Sequence, residues 1–157
     1  MRLLAIPREE NDILEDERVR LSTWSVEGDW TYREYHDALD LLSQIADLRG
    51  LTQESLEEIE IIAHGNPATC NDLSLGNVAV IAGSLRRVFE GVEYARVYLS
   101  GCNTGLEFNG ECIARSFASA YRGPVFGARG YLTGTHAEHS EQCVASFTLD
   151  GDRKSVV

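Results

Sequence analysis

No apolar run in the chain approaches the roughly 20 residues that cross a bilayer, and its opening, Met1-Arg-Leu-Leu-Ala-Ile-Pro7, has too short an apolar core for a secretory signal. A cytoplasmic location is therefore the expectation. Positive charge is also scarce: 14 Lys and Arg stand against 25 Asp and Glu, for a net charge of −11. That balance argues against nucleic acid and anionic membranes as partners and leaves a peptide or protein, basic if anything. No Cys-x-x-Cys pair occurs, and Cys70, Cys102, Cys112 and Cys143 are irregularly spaced, so free thiols are expected rather than a disulfide framework. Internal repeats and low-complexity linkers are absent too. With 157 residues, 43% hydrophobic and 25% charged, the chain suits one globular domain, residues 1–157, with a real core.

What is present is a strand that ends on a thiol. In Ala95-Arg-Val-Tyr-Leu-Ser-Gly-Cys-Asn-Thr-Gly105 a β-branched and aromatic run stops at Gly101, and Cys102 stands between two glycines. Glycine accepts positive φ at little cost, so Gly101 and Gly105 are expected to fold the backbone back and leave Cys102 at the sheet edge. Ile59-Glu-Ile-Ile-Ala-His-Gly65 has the same build, an apolar run ended by His64 and Gly65.

Around these two stretches the pattern predicts further elements. Leu3 to Ile6 reads as a strand, Arg8 to Arg18 as a solvated loop and Val19 to Val26 as an edge strand closed by Glu27-Gly-Asp29. Thr31-Tyr-Arg-Glu34 has the form of a capping box, so a helix is expected from Thr31 to Gly50, with His36, Asp37 and Asp40 on its solvated face. Thr52 to Glu58 reads as a helical turn, Ile59 to Ala63 as a strand, Gly65 to Asp72 as a loop, Leu73 to Leu75 as a small strand and Val78 to Phe89 as a helix. A strand from Ala95 to Ser100, a helix from about Asn109 to Tyr121, a strand from Val125 to Ala128, a loop from Arg129 to Thr135, a last strand from Val144 to Leu149 and a tail complete the chain. Alternating strands and helices predict an α/β fold, a three-layer α/β/α sandwich with a mostly parallel sheet. Right-handed crossovers then collect His64, Cys102 and Arg129 at one edge, the carboxyl ends of the strands.

A thiol is a good nucleophile only as thiolate, so it needs a base, a cation or a helix amino terminus nearby. His64 on the neighbouring strand supplies the base, the helix after Cys102 is a candidate dipole, and the backbone amides of Gly65 and Cys102 are candidates to hold the oxyanion of a tetrahedral intermediate. This set of groups suits acyl transfer, most simply peptide hydrolysis.

An apolar strand ending in His64-Gly65, then about forty residues later one ending in Ser100-Gly-Cys-Asn-Thr-Gly105, resembles the caspase-like (clan CD) cysteine peptidases, which include gingipains, clostripain, legumain and bacterial CHAT domains. His64-Gly-Asn-Pro67 followed by Leu73-Ser-Leu-Gly76, and Gly127-Ala-Arg-Gly-Tyr-Leu-Thr-Gly134, look like the segments that flank the dyad in small bacterial members. The resemblance covers roughly Ile59 to Gly134, about half the chain. It implies a caspase-like fold with no cofactor, His64 as general base or acid, Cys102 as nucleophile, and Gly65 with the Cys102 amide as oxyanion hole. Arg129, beyond the next strand, falls where related enzymes place specificity residues, and a cation there would favour an acidic side chain. Family members usually have more chain before the histidine strand and longer loops after the cysteine strand. A compact member is expected to have a shallow substrate groove, or one that a protein partner completes.

Competing readings are plainer. Cysteine is often simply buried, so Cys102 can be packing alone, and an arginine at a strand end is commonly a surface ion-pair partner. Cys112 and Cys143 read as core, and Cys70 as a loop thiol that can line the site. His136, His139 and Cys143 have the spacing of ligands on one helical face, but spacing is their only support and no metal is expected. Two classes of function follow: a cysteine endopeptidase that cleaves itself or a partner, or a caspase-like binding or scaffolding module that no longer cleaves. Another thiol hydrolase or acyltransferase would use the same two residues.

Overall fold

In the computed structural model, residues 1–8, 15–51, 54–131, 144–147 and 153–156 are described. Five parallel strands form the centre: β1 (Arg2–Pro7), β2 (Trp30–Tyr35), β3 (Glu58–Ile62), then, after three short strands, β7 (Arg96–Ser100) and β8 (Val125–Ala128). The antiparallel β9 (Val144–Phe147) and β10 (Arg153–Val156) extend the sheet, giving the order β10-β9-β8-β7-β3-β1-β2. The expected tail after residue 150 thus contributes an edge strand.

Helices cover both faces, as a three-layer α/β/α sandwich requires. On one face lies α1 (Glu15–Glu27), whose Leu21 packs with Leu4, Ile6, Trp30 and Ile62. On the other, α2 (Ala38–Leu51), α3 (Val78–Val88) and α4 (Ile113–Tyr121) enclose the larger core with Leu3, Ile59, Ile61, Val97, Leu99 and Val125. Crossover handedness explains the split. From β1 to β2 the chain moves toward one edge, and from β2 through β3 and β7 to β8 it moves the other way, so right-handed connections put the first helix opposite the other three. Successive strand residues alternate between the layers: Ile59 and Ile61 of β3 enter the large core, whereas Ile62 joins the α1 side.

Several sequence expectations are corrected. Val19 to Val26 is helical. Its apparent alternation conceals a helical stripe, with Leu21 and Ser25 fully buried four residues apart and Val19 and Val26 in solvent. Of the loop expected from Arg8 to Arg18, residues 9–14 lie outside the described residues, and Glu15 to Arg18 belong to α1. Thr31 to Glu34 lies in β2, where the end residues Trp30 and Tyr35 are buried. The helix cap comes later: the Asp37 carboxylate accepts from the Asp40 N–H and the Asp40 carboxylate from the His36 N–H, both at 2.8 Å. Asp37 and Asp40 therefore organise the start of α2 rather than merely facing water.

Of the helical turn expected from Thr52 to Glu58, residues 52 and 53 lie outside the described residues, and residues 54–57 are not helical. The Glu57 N–H donates to the Met1 carbonyl and its own carbonyl accepts from Arg96, both at 2.8 Å, so the segment enters the sheet extended. Residues 65–74 form more than a loop: β4 (Gly65–Asn66), β5 (Thr69–Cys70) and β6 (Leu73–Ser74) make a small antiparallel sheet. Helix α4 starts at Ile113 rather than Asn109, because Asn109-Gly110 is a tight turn with φ of 52° and 79° and mutual Phe108 and Glu111 backbone bonds. Two adjacent residues at positive φ are the mark of a type I′ turn.

Candidate active site

Strand register sets the geometry. Ile62 of β3 lies beside Ser100 of β7, and each chain continues two residues past that pair to reach His64 and Cys102. Arg129 follows β8 directly, so all three candidates stand at the carboxyl edge of adjacent strands. His64 is exposed and Cys102 half-buried, so both can meet a ligand. A β-carbon on Gly101 would come within 2.9 Å of the Ala63 carbonyl oxygen and 3.1 Å of both Gly65 N and Gly65 Cα. One on Gly65 would lie 3.1 Å from the Cys102 carbonyl oxygen and 2.7 Å from Thr104 Cγ2. The segments bearing His64 and Cys102 thus touch through their backbones, and glycine at both contacts permits it.

The turn at Cys102 uses a different residue for its reversal than the sequence suggested. Neither Gly101 nor Gly105 has positive φ; Asn103 supplies it, at 60°, while the Thr104 N–H reaches back to the Gly101 carbonyl at 3.4 Å. Positive φ at the third of four residues is the type II pattern, which asparagine tolerates. Gly101 and Gly105 serve close approach instead. A β-carbon on Gly105 would fall 2.5 Å from the Gly127 carbonyl oxygen.

Thr104 fastens the turn. Its buried hydroxyl donates to the Leu99 carbonyl at 2.6 Å, has the Gly101 carbonyl at 3.0 Å, and accepts from the Ala128 N–H at 3.1 Å. Backbone bonds from Asn103 to Gly130 at 2.8 Å and from Gly105 to Ala128 at 2.7 Å hold the loop against the end of β8. These bonds bracket Arg129, which is half-buried with its Nε shielded from water.

On the histidine side, the Asn71 N–H donates to the His64 carbonyl at 2.9 Å. In an antiparallel ladder bonded and non-bonded pairs alternate, so the next pair, Gly65 with Cys70, is non-bonded and the Gly65 N–H points away from β5. The first amides of α4 are already engaged: Ile113 donates to Pro67, Ala114 to Thr104 and Arg115 to the Cys112 sulfur. The helix therefore ties the two loops together and does not offer those N–H groups to Cys102.

The remaining thiols separate cleanly. Cys70 is fully buried in β5, and burial, with the Asp72 carboxylate adding to it, pushes its thiol up to about 12. It belongs to the core rather than to the site. Cys112 is buried at the amino cap of α4, where burial raises its thiol too. Cys70, Cys102 and Cys112 are thiols rather than halves of a disulfide. Cys143, His136 and His139 lie outside the described residues, as does the stretch from Leu132 to Gly134. Among the described residues, no cluster of three or more His, Cys, Asp or Glu side chains could hold a metal ion.

Sequence patterns missed two features nearby. Glu60, placed between isoleucines, is fully buried and accepts from the Ser100 hydroxyl at 2.7 Å, joining the two strands just below the site. A pocket of about 350 Å³ opens between the β4–β5 hairpin and the Asn109-Gly110 turn. Polar residues inside an apolar run give no one-sequence signal of pairing, but the Asn-Gly pair was a readable turn signal. A larger depression of about 490 Å³, outside α3 near Arg86 and Glu90, includes none of the strand-end residues.

No known family model, curated protein or solved structure matches the chain. The function must therefore be argued from the site. No helix among the described residues is long and apolar enough to cross a membrane.

Proposed function

We propose that the protein is a cysteine peptidase of the caspase-like kind, acting through His64 and Cys102. One observation carries the reading: two adjacent parallel strands end on a histidine and a half-buried cysteine, and glycines let the two following turns pack in backbone contact. Such an arrangement suits a nucleophile and its base.

In this mechanism His64 takes the thiol proton and the Cys102 sulfur attacks the scissile carbonyl. The N–H groups of Gly65 and Cys102 stabilise the resulting oxyanion. The C–N bond then breaks, His64 gives its proton to the departing amine, and a thioester remains on Cys102. Water, deprotonated by His64, releases the acid and restores the thiol. Arg129 is the specificity residue of this reading, and an acidic substrate side chain is its natural partner.

The test is turnover of a diverse peptide mixture, followed by mass spectrometry, for wild type, Cys102→Ser and His64→Ala. New termini should appear with wild type and fall by at least about a hundredfold in both variants, the scale of lost acid-base catalysis. Equal cleavage by all three, or none by wild type, would remove the peptidase reading and favour a binding module.

A further inference from the structure

Resting on the peptidase reading, we infer that the pocket between the β4–β5 hairpin and the Asn109-Gly110 turn receives an apolar side chain of the substrate peptide, with Phe108 as its specificity-determining wall. Pro67, Ala68, Leu75 and Phe108 give it an apolar lining, and its volume, about 350 Å³, accommodates one large side chain. Phe108 is 71% exposed, an unusual state for a phenylalanine, and Leu75 is 38% exposed.

Both walls are stiff. The type I′ turn fixes Phe108, and the Asn66 side chain accepts from the Ala68 N–H at 2.8 Å to brace the hairpin tip. A 2.7 Å bond from Ile113 to the Pro67 carbonyl joins the two sides. A preformed pocket of this kind loses little freedom when it is filled.

Position along the chain identifies the occupant. Pro67 is three residues beyond His64 and Phe108 six beyond Cys102. Three extended residues span at most about 10 Å, so the Pro67 wall lies within that reach of His64, and a peptide held between His64 and Cys102 is placed to enter the pocket a few residues from the scissile bond. Glu111 is the one charged residue of the lining, and the chain carries a net charge of −11. Charge complementarity therefore disfavours an acidic side chain in this pocket and leaves any acidic residue of the substrate to Arg129.

The experiment is a peptide library varied at three positions on each side of the cleavage point, read for wild type and Phe108→Ala, with iodoacetamide alkylation of Cys102 measured in parallel. Phe108 is exposed, so alanine there leaves the fold intact. Wild type should select a large apolar residue at one fixed position, and Phe108→Ala should lose about tenfold in kcat/KM for those peptides, with alkylation unchanged. Cleavage with no apolar preference, an acidic preference at that position, or a preference untouched by Phe108→Ala overturns the pocket assignment and leaves the peptidase reading standing. A His64-dependent thiol that cleaves no peptide overturns the pocket's role as well. An inert thiol overturns both.

Discussion

Gly65 and Gly101 pack so closely that a β-carbon on Gly101 would sit 3.1 Å from both N and Cα of Gly65. This contact ties the histidine turn to the cysteine turn, and it leaves no space for a side chain. Gly101→Ala forces the Ala63 and Gly65 backbone apart, at a cost of about 1–3 kcal/mol. Urea unfolding should show that loss. Alkylation of Cys102 should become independent of His64, even at temperatures where the variant remains folded.

Thr104 has little volume but three hydrogen-bond contacts. Thr104→Val keeps its shape and removes the hydroxyl that accepts from the Ala128 N–H. Leaving a buried donor without its acceptor costs about 1–3 kcal/mol. The expected result is a matching drop in unfolding free energy, whereas Thr104→Ser, which keeps the hydroxyl, should retain the bonds and restore part of the loss.

Buried acids make the fold sensitive to alkali. Burial pushes Cys70 up to about 12, and burial likewise lifts the Tyr32 and Tyr98 hydroxyls to about 12. The unfolded chain releases these protons first, the thiol near pH 9 and the phenols near pH 10. From there to about pH 12 the unfolded state binds fewer protons than the folded one, so stability is fully present below pH 9 and falls as pH rises. Urea midpoints measured from pH 7 to 11 should be level and then decline. In native Cys143→Ser protein at pH 8, thiol labelling followed by peptide mapping should mark Cys102 and spare Cys70 and Cys112.

Helix α4 ends on a strained residue. Arg122 holds φ of 60° and ψ of 28° while its N–H donates to the Ala118 carbonyl at 2.9 Å. Glycine takes that conformation without the β-carbon penalty, so Arg122→Gly should stabilise the protein by about 0.5–1 kcal/mol and raise the thermal midpoint by a few degrees. An unchanged or lower midpoint would contradict this view of the cap.

The central strands and the two ends carrying His64 and Cys102 were legible because buried parallel strands read as mostly apolar runs, here closed by His64-Gly65 and by Gly101. The amino-terminal third was not. Val19 to Val26 contains β-branched residues at both ends, yet only Leu21, Ser25 and the neighbouring Trp24 face the sheet, so packing overruled local preference. At Thr31 a capping signal competed with the aromatic run Trp30 to Tyr35. The run prevailed because it pairs along all six residues of β1, and Asp37 capped the helix instead. Within the site, the order of the strands was legible, but the role of Thr104 was not, because its partners Leu99 and Ala128 meet only through the fold.

The dyad itself is tested most directly by the rate at which iodoacetamide alkylates Cys102 as pH is varied, in Cys143→Ser protein with and without His64→Ala. A His64-Cys102 pair predicts rapid alkylation of Cys102 near neutral pH that slows at least about tenfold when His64 is removed. An inert Cys102, or the same alkylation rate in both proteins at every pH, would contradict it.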